Sequence, residues 1–189
     1  PKAALFGRGE PGGAVNLVTK RPQFRQGGEM KATYGSWSQK RIEADVQSVA
    51  GSAENVGVRL VGFYEDAKSF RDKVETERFG FYPSVTWEAS ADTTVTYELE
   101  YTEQKIPFDR GVVAIDGKLG HQPIETFTGD PNSDTIDTEV VGHQIEISHK
   151  LADEWNLLLG AGLRDTTFEG NALENNFGGR QTLFIDPNQ

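Results

Sequence analysis

The sequence predicts an all-β chain whose antiparallel strands form part of a transmembrane β-barrel, about seven strands of it, and three observations carry that prediction. Polar and apolar residues alternate with a period of two over long segments; tight and long connections alternate between those segments; and no run approaches the roughly 18 consecutive apolar residues of a membrane-crossing helix. The longest apolar candidate, residues 157–163, is already broken by Gly160 and Gly162.

Taken in order, the first 26 residues are punctuated by Gly7, Gly9, Pro11, Gly12, Gly13 and Pro22, with one short apolar run at 14–18, and read as turn, strand, turn. From Gly28 onward the alternation sets in. In 41–47 the odd positions Arg41, Glu43 and Asp45 are charged and the even positions Ile42, Ala44 and Val46 apolar. The same period recurs in 78–87, 94–101 and 141–147. Strands are predicted near 28–36, 38–50, 56–69, 76–90, 93–106, 136–151 and 155–168, and no segment has a helical period. Connections at 51–55, 91–93 and 152–154 are short, whereas 109–134 is a long loop, so one end of the sheet is trimmed and the other elaborated. Strands of this length exceed the usual 5–6 or so residues of globular proteins and match the roughly 9–11 tilted residues that cross a bilayer, with an extension beyond it.

Alternation also assigns faces. Ile42, Ala44, Val46, Phe79, Phe81, Val85, Trp87, Val95, Tyr97, Leu99, Ile145, Ile147, Leu157 and Leu159 are expected toward lipid, and Arg41, Glu43, Asp45, Arg78, Glu98, Glu100, Gln144 and Glu146 toward the lumen. Aromatics near the strand ends, among them Tyr34, Trp37, Tyr64, Phe70 and Trp155, have the placing of interfacial girdles.

Composition limits the function. The net charge of -10 argues against nucleic acid as partner, because phosphate binding needs a cationic surface. That charge is unevenly spread: residues 1–25 hold five Lys or Arg against one Glu, and the remainder carries 14 against 28 acidic residues. With no cysteine there is no disulfide, thiolate metal site or thiol nucleophile. The chain opens at Pro1-Lys2 without Met or the pattern of a signal peptide, and is read as a piece of a longer protein. No nucleophile–base set or paired-carboxylate arrangement stands out, so no enzyme is expected. Asp130, Asn132 and Asp134 have the opening spacing of a Ca²⁺ loop, but Thr135 and Val141 stand where Gly and Glu belong, which leaves a solvated acidic loop as the expectation. His121, His143 and His149 lack metal-ligand spacing, and His143 shares the apolar face with Ile145, where an interfacial or packed imidazole is expected.

The run Ala4-Leu5-Phe6-Gly7-Arg8-Gly9-Glu10-Pro11-Gly12-Gly13-Ala14-Val15-Asn16-Leu17-Val18-Thr19-Lys20-Arg21-Pro22 resembles the closing segment of the plug domain in TonB-dependent siderophore receptors. Residues 69–72, 77–79, 83–87 and 106–111 are similar to the early barrel strands and third loop of the same family. The resemblance implies a plug end at 1–26 followed by the amino-terminal barrel strands at 27–189. It implies an outer-membrane receptor of a Gram-negative bacterium that takes up ferric siderophores, energised by the TonB-ExbB-ExbD complex and bounded by outer-membrane lipid. Iron would travel inside the siderophore, with no cofactor or protein metal ligand. Receptors of the same build for cobalamin or a carbohydrate, and a surface β-sheet adhesin, are the alternatives.

In this reading Phe6 and Arg8 of the plug turn, with Phe108 and Arg110 of the long loop, are the candidate siderophore-binding residues, each pair setting an aromatic ring beside a cation. Arg21 is the candidate plug-to-barrel anchor, a guanidinium suited to bidentate pairing with a lumen carboxylate, its partner expected on strands beyond the seven.

Overall fold

The computed structural model describes residues 19–51, 53–112, 118, 120, 122–130, 133–175 and 181–183, with the backbone alone at 173–175 and 181–183. Seven strands follow one another as β1 Gly27–Tyr34, β2 Lys40–Ala50, β3 Val56–Lys68, β4 Glu75–Ser90, β5 Thr93–Pro107, β6 Thr135–Ala152 and β7 Trp155–Gly170. They form one sheet in chain order, each antiparallel to the next. A short hairpin of β8 Leu173–Asn175 and β9 Gln181–Leu183, which the alternation does not signal, pairs separately. The apolar run at 14–18 lies outside the described residues.

Turn chemistry explains the trimmed end. Between β2 and β3, Gly51 takes φ 87°, a left-handed conformation that a side chain would strain, and its carbonyl accepts a hydrogen bond from Glu54 N at 3.1 Å. Between β4 and β5 only two residues intervene; Asp92 N donates to Ser90 Oγ at 3.3 Å, and Ser90 Oγ donates to Thr93 Oγ1 at 3.0 Å. Register shifts at Glu88/Ser90 and Lys150/Ala152 sit beside the β4–β5 and β6–β7 turns, where a bulge adds twist without disturbing the long ladders. The opposite end carries the connections 35–39, 69–74 and 108–134.

Directly opposed residues in an antiparallel pair share a face, so the register tests the predicted sidedness. Asp45 opposes Val61, which opposes Tyr82; Arg59 opposes Ser84, Ser84 opposes Glu98, Glu98 opposes Gln144, and Gln144 opposes Gly162. The other parity runs through Val46–Leu60–Pro83 and through Trp87–Val95–Ile147–Leu159. Every residue assigned to lipid lies on the second face and every residue assigned to the lumen on the first.

Packing is inverted relative to a water-soluble sheet. Among the described strand residues the buried side chains are Ser84, Thr86, Thr96 and Glu98, with Val140 the apolar member, while Trp155 is 70% and Leu163 78% exposed. Across the polar face Thr86 Oγ1 lies 3.2 Å from Thr96 Oγ1, and Tyr82 Oη 3.0 Å from Thr102 Oγ1. Arg41 pairs its charge there, donating to Glu65 at 2.7 Å and to Glu43 at 2.8 Å, with its guanidinium 4.1 Å from the centre of the Phe63 ring. Such a sheet is satisfied only if an apolar medium covers one face and polar matter the other. On the apolar face His143 is exposed beside Ile145 rather than packed in, and its Nδ1 lies 2.7 Å from Tyr97 Oη.

Candidate ligand site and anchored entry segment

Two places bring functional side chains together. The first is the segment ahead of β1, which crosses the middle of the polar face and is bonded to four strands. Thr19 Oγ1 donates to Glu98 on β5; Lys20 Nζ donates to Asp45 on β2 at 3.0 Å; and Arg59 Nη1 on β3 donates to the carbonyl of Arg21 at 3.0 Å. Pro22 is buried against β3, where a Cβ on Gly57 would stand 2.8 Å from the proline Cβ; the missing side chain makes that close approach possible. Gln23 N completes the attachment by donating to Gln47 Oε1 at 3.2 Å.

Arg21 holds the centre of this contact. Nη1 donates to Glu146 Oε1 at 2.6 Å and Nη2 to Glu146 Oε2 at 2.9 Å, the parallel two-bond geometry of a guanidinium on a carboxylate, and Glu98 Oε2 lies 3.9 Å away. The hydrogen bonding that Arg21 donates to Glu146, with the charges of Glu146 and Glu98, raises the Arg21 pKa above its ordinary value against the cost of partial burial. The expectation that its partner lies on strands beyond the seven is corrected: both carboxylates are here, on β5 and β6. They escaped notice because Glu98 and Glu146 are separated by 48 positions of chain and are joined only through the β5–β6 register, in which Thr96 faces Glu146 and Glu98 faces Gln144.

The second place is the elaborated end. Phe108 and Arg110 are adjacent there, with the Arg110 guanidinium carbon 4.7 Å from the centre of the Phe108 ring, a cation over an aromatic face. Phe6 and Arg8 lie outside the described residues. A residue to which the sequence reading gave no role organises this end. Arg71, between β3 and β4, donates from Nη1 to the carbonyl of Ile124 at 2.8 Å and from Nη2 to that of Thr126 at 2.7 Å, and its Nε stands 2.5 Å from Asp109 Oδ2. That last contact is a charge pair, with the oxygen off the N–H direction, since Nε finds no hydrogen-bond acceptor in line. Asp72 N adds a bond to the carbonyl of Glu125 at 2.7 Å.

The acidic end of the same loop is folded. Asp134 is 2% exposed, its Oδ2 accepts from Asp130 N at 2.8 Å, and its carbonyl accepts from Phe108 N at 2.9 Å. The expected solvated acidic loop is thus corrected at Asp134, whose side chain caps the turn in place of water. Asn132 and His121 lie outside the described residues, and among the described residues no group of three or more His, Asp or Glu is placed to hold a metal ion.

Comparison with known proteins follows the same lines. No family model matches the chain. It is 35% identical over 175 residues to the metal-pseudopaline receptor of Pseudomonas aeruginosa (strain UCBPP-PA14), covering 93% of this chain and 25% of that protein. It is 30% identical over 167 residues to the ferrioxamine B receptor of Salmonella typhimurium (strain SL1344), covering 83% of this chain and 23% of that one. Among solved structures, the ferric-catecholate import receptor Fiu from E. coli K12 in its open form superposes with a TM-score of 0.80 at 23% identity, over 91% of this chain and 28% of that chain. The chain spans about a quarter of the length of the curated relatives it matches. The inverted sheet is a stretch of receptor barrel wall, its polar face turned to the lumen, and the chain belongs to the family of TonB-dependent siderophore receptors.

Proposed function

We propose that the complete protein is an outer-membrane receptor of a Gram-negative bacterium that binds a metal chelate at the elaborated, outward end and imports it with energy delivered through TonB and its ExbB-ExbD partners. The single observation that carries this reading is the basic segment locked across an acidic lumen wall, Arg21 on Glu146 and Lys20 on Asp45. A β-sheet adhesin has no use for a segment held inside its wall, whereas an importer needs one that is held and can be released. In this reading residues 1–26 end the plug, residues 27–189 begin the barrel wall, and Arg21 is the anchor between them. Phe108 and Arg110, with Phe6 and Arg8 of the plug turn, meet the chelate, whose carbonyl and carboxylate oxygens suit guanidinium groups and whose backbone suits aromatic rings. The chain's part is binding, gating and exclusion of lipid; the metal stays with its chelator, so the reading asks for neither a cofactor nor catalysis.

A ferric siderophore is the cargo favoured by most of the relatives' names. A second cargo, a metallophore carrying another metal, is favoured by one observation: the 35% identical relative is named for metal-pseudopaline. Growth of a deletion strain complemented with the intact gene, in medium limited in iron and in media limited in other transition metals, with a panel of chelates, tests both. Rescue by ferric chelates supports the first reading and rescue by chelates of another metal the second. Rescue that persists without TonB, or by neither set, removes the transport reading.

A further inference from the structure

The 108–134 loop is long enough to be a slack tether, yet its two limbs are drawn together at one side chain. Arg71 reaches Asp109 near the start of the loop and the carbonyls of Ile124 and Thr126 in its later half, and its side chain is only 10% exposed. Thr128 Oγ1 donates to the carbonyl of Gly111 at 3.1 Å, joining the same two limbs a second time. The consequence for the candidate site is geometric. Asp109 stands between Phe108 and Arg110; with its Oδ2 turned to Arg71 and its Oδ1 accepting from Gly111 N at 2.9 Å, the two flanking side chains are left to face each other.

We infer that Arg71 is a positioning residue: by gripping Asp109 and both later carbonyls at once, it closes the 108–134 loop at its base and sets the side on which Phe108 and Arg110 meet a ligand. Lysine cannot replace it, because holding two carbonyls while standing against a carboxylate needs the guanidinium fork, and an ammonium is a single point of charge. The contacts of the Arg71 guanidinium are all with the 108–134 loop, so the clamp can fail while the strands stay paired. The role in binding rests on the chelate-receptor reading above; the role in closing the loop does not.

The chain has no cysteine, so a single nitroxide label at Lys118→Cys, an exposed position in the loop, reports on the clamp in the full receptor in detergent. Arg71→Ala and Arg71→Lys should both make the label's spectrum markedly more mobile, while the electrophoretic shift between boiled and unboiled receptor, which reads barrel folding, stays as in the parent. Asp109→Asn should fall between, since it leaves the two carbonyl contacts in place. A label equally restrained in Arg71→Ala overturns the clamp whatever the receptor carries.

Binding is then read by fluorescence quenching with ferrioxamine B and, separately, with iron-loaded pseudopaline as probes. For a bound probe, Arg71→Ala should weaken affinity about tenfold, in the range expected on losing an anchoring arginine. Arg110→Ala should cost much less in the Arg71→Ala background than in the parent, because Arg71 acts through it. Additive losses overturn the positioning role even if the label is freed. If Arg110→Ala and Phe108→Ala leave every affinity unchanged, the binding-site reading falls, and the label alone decides whether the clamp stands.

Discussion

Arg21 shows how far a single residue could be read. The resemblance of the Lys20-Arg21-Pro22 run implies an anchor, and a guanidinium facing a lumen lined by acidic strands suits a bidentate pair with a carboxylate. Its partner could not be read, since Glu146 is one of many alternating carboxylates and only the docking of the segment selects it. The side chain is 41% exposed, so screening limits the pair to about 1 kcal/mol despite its two short bonds. A double-mutant cycle in the full receptor, with Arg21→Ala and Glu146→Ala and the denaturation midpoint of the plug as readout, should give a coupling of that size and sign; independent, additive effects would show that the pair holds nothing. Arg71 was less legible still. Its carbonyl acceptors at Ile124 and Thr126 lie more than fifty positions along the chain, and backbone acceptors leave no mark in a sequence. The burial of Asp134 was hidden for a similar reason, because an acidic residue among Asp130 and Asn132 reads as solvated until the turn it caps is known.

At the scale of elements, the strands were legible almost to the residue, because a period of two is local and each strand repeats it against a different medium on either side. Strand β6, predicted at 136–151 and found at 135–152, is typical. Short β8 and β9 were not anticipated: three residues cannot display a period. The face assignment yields a prediction that separates a membrane wall from a wet sheet. Ile145→Arg, in the midst of the apolar face, should destabilise the folded receptor in lipid by about 2–4 kcal/mol, and Gln144→Arg, one residue away on the polar face, by much less. Equilibrium unfolding of the two variants in phospholipid vesicles decides it, and equal costs at 144 and 145 would reject the lipid assignment. The elaborated end was legible as a long loop and no more, since its order comes from Arg71 and Asp134 rather than from any repeating pattern.

At the scale of the molecule, the uneven charge finds its explanation: the basic head supplies Lys20 and Arg21, and the acidic body supplies Asp45, Glu98 and Glu146 to hold them. The same architecture determines what these residues can do by themselves. Within the seven-stranded sheet, β1 and β7 each pair on one side only, so the other side of each carries a row of backbone donors and acceptors. In water such an edge recruits other strands; in hydrocarbon each unmet group costs several kcal/mol, so an open wall cannot rest there. Curling the sheet to pair β1 with β7 offers little relief, because the eight residues of β1 cannot satisfy the sixteen of β7. The 189 residues expressed alone should therefore aggregate or remain bound to detergent, show no electrophoretic shift on boiling, and leave planar bilayers without discrete conductance steps. A stable unit conductance, or chelate uptake into vesicles holding only this chain, would mean that the wall closes on itself, and the reading of the sheet as a section of a larger barrel would have to be given up.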